Sequence, residues 1–157
     1  MRGLPLSIYI LSVFLYGCMK TDTVTVYKEV DPLLDSTAIY TVGRVIDGDT
    51  FLVGFGNDSI SVRILGIDAF EIKHDSRLDS QAVKAHISID SAYALGQTAK
   101  HFADSVLYKK NVLVVRDYMQ SNFDTYNRLL RRIYYYNGSQ LINYDSVLLG
   151  KGWALQD

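Results

Sequence analysis

Apolar and polar positions near the middle of the chain fall into short runs of β type at residues 40–46, 50–55 and 59–65. The turn formers Asp47-Gly48 and Gly56-Asn57-Asp58 separate them, which predicts a three-stranded meander. In the third run Ile60, Val62 and Ile64 alternate with Ser59, Ser61 and Arg63, so one face is apolar and Arg63 is expected to look outward from the other. Ala99, Phe102, Ala103, Val106 and Leu107 recur at helical spacing and predict an amphipathic helix over 94–107, with Lys100, His101 and Asp104 on its other face. Residues 112–116 and 129–136 are two further strands, and Asn137-Gly138 is a strong turn signal after them. A short helix N-capped by Asp145 carries Val147, Leu148 and Leu149 and stops at Gly150 and Gly152, with Trp153 expected to be buried beyond it. Residues 72–93 fit no element and read as a long, mobile loop. Strands in a three and a two with interposed helices predict an α+β domain on a small five-stranded β-barrel with two or three helices.

The N-terminus has a different pattern. Arg2 precedes an apolar run over 4–16 that has the length of an export-signal core and is short for a membrane span. The run ends at Leu15-Tyr16-Gly17-Cys18, which resembles a bacterial lipobox, so Cys18 is the expected lipidation site and new N-terminus. Cys18 is the only cysteine, which excludes a disulfide within one chain. Residues 19–37 are polar and aperiodic and read as a tether. The expected organisation is a signal peptide over 1–17, a lipidated cysteine and tether over 18–37, and one folded domain over 38–157. The expected location is the bacterial cell envelope, with the exported domain anchored to the membrane through lipid on Cys18.

At 157 residues with 48% apolar side chains, the chain has material for one core and one cleft. Removing residues 1–17 deletes one charged residue, Arg2, and takes the net charge from −1 to −2. Nucleic acid would therefore have to be gripped by a local cluster rather than by overall basicity.

Taken singly, the charged motifs are ordinary. Asp47-Gly48-Asp49-Thr50 reads first as a hairpin turn, Asp68 to Glu71 as a solvated loop entry, and Arg63 or Arg128, Arg131 and Arg132 as surface arginines. Their combination changes the reading. Asp49, Asp68 and the Ala69 carbonyl offer hard oxygens to a divalent cation. Glu71 is then a further carboxylate able to take a proton from an attacking water, and Arg63 and Arg128 are forks that match phosphate oxygens.

The order Asp47-Gly48-Asp49-Thr50, Arg63, Asp68, Glu71 and Asp124-Thr125-Tyr126-Asn127-Arg128 resembles the staphylococcal thermonuclease family in sequence and largely in spacing. The resemblance covers about residues 40–157. It implies an OB-like barrel, calcium held by Asp49, Asp68 and the Ala69 carbonyl, a catalytic trio of Arg63, Glu71 and Arg128, and Tyr126 against a substrate phosphate. Magnesium takes the same oxygens and is the second choice. The implied activity is endo- and exonucleolytic cleavage of single-stranded DNA and RNA to 3′-phosphate products by a monomer. Phe70 stands where the family usually has proline, Asn127 where glycine is common, and the 72–93 segment is longer than in the best-known members. An OB-like lipoprotein that binds oligonucleotides or a surface partner with little or no catalysis is the alternative, and a structural envelope lipoprotein is a third possibility.

Overall fold

The predicted runs form an antiparallel meander in the computed structural model, which describes residues 37–55 and 58–157. β1 (Ala38–Val45) pairs with β2 (Thr50–Phe55), and β2 with β3 (Asp58–Ile64), in registers that set Val53 beside Val42 and Phe51 beside Val62. A three-residue β4 (Ile67–Ala69) follows. Two helices come next, α1 (Ser76–Ala85) and α2 (Ile89–Leu107), before β5 (Asn111–Val115) returns to pair with β1. β6 (Leu129–Asn137) pairs antiparallel with β5 and parallel with β3, and this second pairing closes the barrel. β7 (Gln140–Asn143) extends β6 as a hairpin, α3 (Tyr144–Gly150) follows, and β8 (Ala154–Gln156) pairs with β4. The five-stranded α+β barrel expected from the sequence is present, with three short strands added to it. The signal segment, Cys18, the tether up to residue 36 and the pair Gly56-Asn57 lie outside the described residues.

Val42, Val53, Val62, Ile64, Val112 and Ile133 are buried in one core. α2 packs Ala99, Ala103 and Leu107 into it, and α3 adds Leu148. Phe102, only partly buried, stacks on Tyr144 at 5.8 Å and meets Trp153 at 5.4 Å, so Trp153 is half-buried beside the core. Small residues let α2 come close. A Cβ on Gly48 would stand 2.7 Å from the Ala99 Cβ and 2.8 Å from the Ala69 Cβ, distances that carbon atoms do not tolerate.

Three expectations need correction. Residues 72–93 are not a loop: they contain all of α1 and the first turn of α2, each with its own cap. The Asp75 carboxylate accepts from the amides of Arg77 and Leu78 at 3.0 Å, and the Ser88 hydroxyl accepts from the Ser91 amide at 3.1 Å. Asn143 rather than Asp145 caps α3, accepting from the Ser146 amide, while Asp145 sits in the first turn and pairs with Arg132 at 3.1 Å. Arg63 does not look out to solvent: it is 7% exposed, held by Asp49 and by Ile67 and Asp68 of β4.

Candidate active site

The barrel's strand pairings put the acidic motifs and arginines at one mouth. Thr50 is opposite Arg63 across β2 and β3, and the parallel pairing of β3 with β6 sets Arg63 beside Leu130, two residues after Arg128. Asp49 enters β2 from a turn in which its own amide donates to the Asp47 carboxylate at 3.1 Å. The Tyr144 hydroxyl donates to the Gly48 carbonyl at 2.8 Å and fixes this turn from the α3 side. On the other side of the mouth, Asp124 accepts from the amides of Tyr126 and Arg128, each at 2.9 Å. Asn127 between them takes φ of 61°, the left-handed conformation that asparagine tolerates and that glycine would also supply.

One chain of polar contacts links the side chains of Asp49, Arg63, Asp68, Glu71 and Arg128, while Tyr126, Arg131 and Arg132 lie outside it. Arg128 Nη1 reaches the Thr50 hydroxyl at 3.4 Å, a long contact, and that hydroxyl donates to Asp49 Oδ1 at 3.0 Å. Arg63 Nη1 donates to the same Asp49 oxygen, and Arg63 Nη2 to Asp68 Oδ1 at 2.8 Å. Arg77 Nη2 also reaches Asp68 Oδ1, at 2.6 Å, and Arg77 Nε lies 2.9 Å from Glu71 Oε1. The Arg128 guanidinium is held by Asp124 at 2.6 Å and lies over the Tyr126 ring, 5.3 Å from its centre. Tyr126 itself is 76% exposed and free to meet a ligand.

These contacts border a cleft of about 490 Å³ lined by Arg63, Arg77, Tyr126, Arg128 and Arg132, among others. Asp124 and Asp157 line it as well, and each of the four arginines is paired with at least one carboxylate. Arg132 is shared with Asp117 at 3.7 Å and Asp145 at 3.1 Å. Arg131 faces inward, 1% exposed, and anchors the 122 region by donating to Asn122 Oδ1 at 2.6 Å, so the expected solvated strand end holds one buried arginine.

The carboxylates differ in acidity because they differ in surroundings. Burial, together with the nearby Asp47 charge, pushes Asp49 up to about 8 against the pull of Arg63 and the Ala69 amide, which donates to Asp49 Oδ2 at 2.5 Å. Burial also raises Glu71, while Arg77 pulls it down and Asp47, Asp75 and Asp68 push it further up. Burial works upward on Asp68 too, yet the bonds from Gln81, Arg63 and Arg77 hold it below the usual carboxylate range.

Among the described residues no three His, Cys, Asp or Glu side chains are gathered as a metal site, but Asp49, Asp68 and the Ala69 carbonyl are hard oxygens of the kind a divalent cation takes. Their oxygens here take protein donors: Gln81 Nε2 lies 2.9 Å from Asp68 Oδ2 and 2.9 Å from the Ala69 carbonyl.

Arg77 and Gln81 were not foreseen as site residues. A cue was available in Asp75, a good N-cap, followed by Arg77 and Gln81 at helical spacing on one face. Phe70 explains how this insertion is held. It is 2% exposed and packs with Leu78, Ala82 and Ala92, so a buried aromatic ring fixes the segment where a proline would otherwise stiffen it.

Fold and site together define a small barrel whose mouth combines oxygen ligands with a wall of arginines. The chain belongs to the staphylococcal nuclease homologue family, whose model matches residues 61–156. It is also 34% identical over 116 residues to the uncharacterized protein MJ1439 of Methanocaldococcus jannaschii, an alignment covering 72% of this chain and 56% of that protein. The chain thus spans little more than half the length of that relative.

Proposed function

We propose that this chain is a phosphodiesterase that hydrolyses single-stranded DNA and RNA to 3′-phosphate products with calcium as cofactor. The observation that carries the reading is the continuous polar chain from Arg128 through Thr50, Asp49, Arg63, Asp68 and Arg77 to Glu71, set beside an arginine-lined cleft. Membership in a nuclease family supports it.

The scissile phosphate would lie between Arg63 and Arg128, whose fixed forks bind its oxygens and strengthen as negative charge builds on phosphorus and on the departing oxygen. Glu71 takes the proton of the attacking water, a task helped by burial that raises its basicity. Bound calcium, held by Asp49, Asp68 and the Ala69 carbonyl, would supply positive charge to the phosphate; magnesium is the second candidate. Tyr126, exposed beside Arg128, contacts a phosphate of the strand. The protein works as a monomer at a bacterial membrane after export, tethered through lipid on Cys18; the support is the apolar run over 4–16 and the lipobox-like end at Gly17-Cys18.

Incubating the full chain with end-labelled single-stranded DNA and RNA, in calcium, magnesium or chelator, tests this reading. Calcium-dependent shortening to products with 3′-phosphate ends supports it. A strand that is bound but left intact would replace it with the oligonucleotide-binding alternative.

A further inference from the structure

Arg77 and Gln81 lie one helical turn apart on α1 and reach the oxygens assigned above to the cation. The Arg77 guanidinium bridges Asp68 Oδ1 and Glu71 Oε1 at 2.6 and 2.9 Å. The Gln81 amide nitrogen lies 2.9 Å from both Asp68 Oδ2 and the Ala69 carbonyl, and the Gln81 oxygen accepts from the Glu71 amide at 2.8 Å. Arg77 is among the residues that line the cleft, and Asp68 and Glu71 are not. The placement is built in: α1 is capped by Asp75 and docked through Leu78 and Ala82 on Phe70.

We propose that Arg77 and Gln81 are internal competitors of the divalent cation, occupying the lone pairs of Asp68 and the Ala69 carbonyl and so setting how much cation the site requires. This rests on the calcium reading of the same site. The two competitors differ in mobility. The Arg77 side chain is 43% exposed and can swing into water, whereas Gln81 is 3% exposed and leaves only if α1 shifts. Arg77 is therefore the exchangeable partner, and its positive charge makes it the stronger rival for a dication. A cation that must first displace an occupant binds with its intrinsic affinity reduced by the fraction of molecules in which the site is open.

The test is calcium titration of the full chain by isothermal calorimetry, paired with thermal melting in chelator and in calcium, for the wild type, Arg77→Met and Arg77→Lys. Melting in chelator shows that each variant is folded. Arg77→Met is expected to bind calcium about tenfold more tightly or better and to gain more melting temperature from calcium, as removal of a competing state predicts. Arg77→Lys, which keeps a cation without the fork, falls between the two. Equal affinity in wild type and Arg77→Met, with binding lost in Asp68→Asn, overturns the competition and leaves the calcium reading standing. Weaker binding by Arg77→Met overturns it as well, and absence of calcium binding in all of them overturns both readings together.

Discussion

A Cβ built on Gly96 of α2 would stand 2.6 Å from the backbone carbonyl of Glu71. The Phe70 carbonyl would be closer still, at 2.5 Å, so α2 supports the backbone of the proposed base through bare glycine. Replacing a mid-helix glycine by alanine ordinarily gains about 1 kcal/mol of helix propensity. Forcing a methyl group against two backbone oxygens costs about 1–3 kcal/mol, and neither oxygen is a flexible side chain that can move aside. Gly96→Ala is therefore expected to lower stability by about 0–2 kcal/mol by these competing magnitudes, read by urea denaturation. It should also reduce cleavage more than the stability loss explains, because the Glu71 loop is displaced. A variant more stable than wild type would show that α2 does not constrain this loop.

Asp124 holds Arg128 at two points, the amide at 2.9 Å and Nε at 2.6 Å, and braces the turn through the Tyr126 amide at 2.9 Å. Asp124→Ala should leave the barrel folded and lower the cleavage rate by about ten- to a hundredfold, the range expected when a reacting group is misplaced by about 1 Å. Asp124→Asn keeps an oxygen for the two amides and should recover part of the loss. The relevant measurement is the rate at saturating substrate, and an unchanged rate in Asp124→Ala would remove Arg128 positioning from the account.

The barrel was legible because its strands alternate and its turns carry strong signals; Val42, Val53, Val62 and Ile133 point where period-two patterning puts them. α1 was not legible, and its own residues show why. Its buried face is Leu78, Ala82 and the polar Gln81, while Val83 is 74% exposed. With so few apolar positions, one of them on the wrong side, helical periodicity is too faint to compete with the dense charges around it. Tertiary packing on Phe70 decides the matter, and Phe70 lies outside α1, so the periodicity of the helix itself does not reveal it. The positions of Asp49, Arg63, Asp68 and Glu71 were legible because one short stretch of meander contains them. The contacts of Arg77 and Gln81 depend on how α1 docks, which no spacing in the sequence encodes. Contacts with Asp49 and β4 turn Arg63 from an expected surface residue into a buried one.

Asp49 predicts a pH dependence. Its carboxyl titrates near 3.8 when unperturbed and is pushed up to about 8 in the folded protein by burial and by Asp47. Between those values the folded chain keeps a proton that the unfolded chain has released, so the Asp49 contribution favours folding fully below about pH 4 and is lost as the pH rises toward 8. In chelator, the urea midpoint of the wild type should fall across this window, and Asp49→Asn should flatten the fall. Identical slopes for the two proteins would show that Asp49 is ionised throughout, with Arg63 supplying the compensation.

The most direct measurement is cleavage of single-stranded DNA by the full chain and by Glu71→Gln, each in calcium and in chelator, with melting curves run alongside. Wild type should cut in calcium and stop in chelator. Glu71→Gln should melt like wild type and lose on the order of a hundred- to ten-thousandfold in rate, the range for removal of a positioned proton acceptor. A folded Glu71→Gln protein that cuts at the wild-type rate would contradict the assignment of Glu71 and the hydrolytic account built on it.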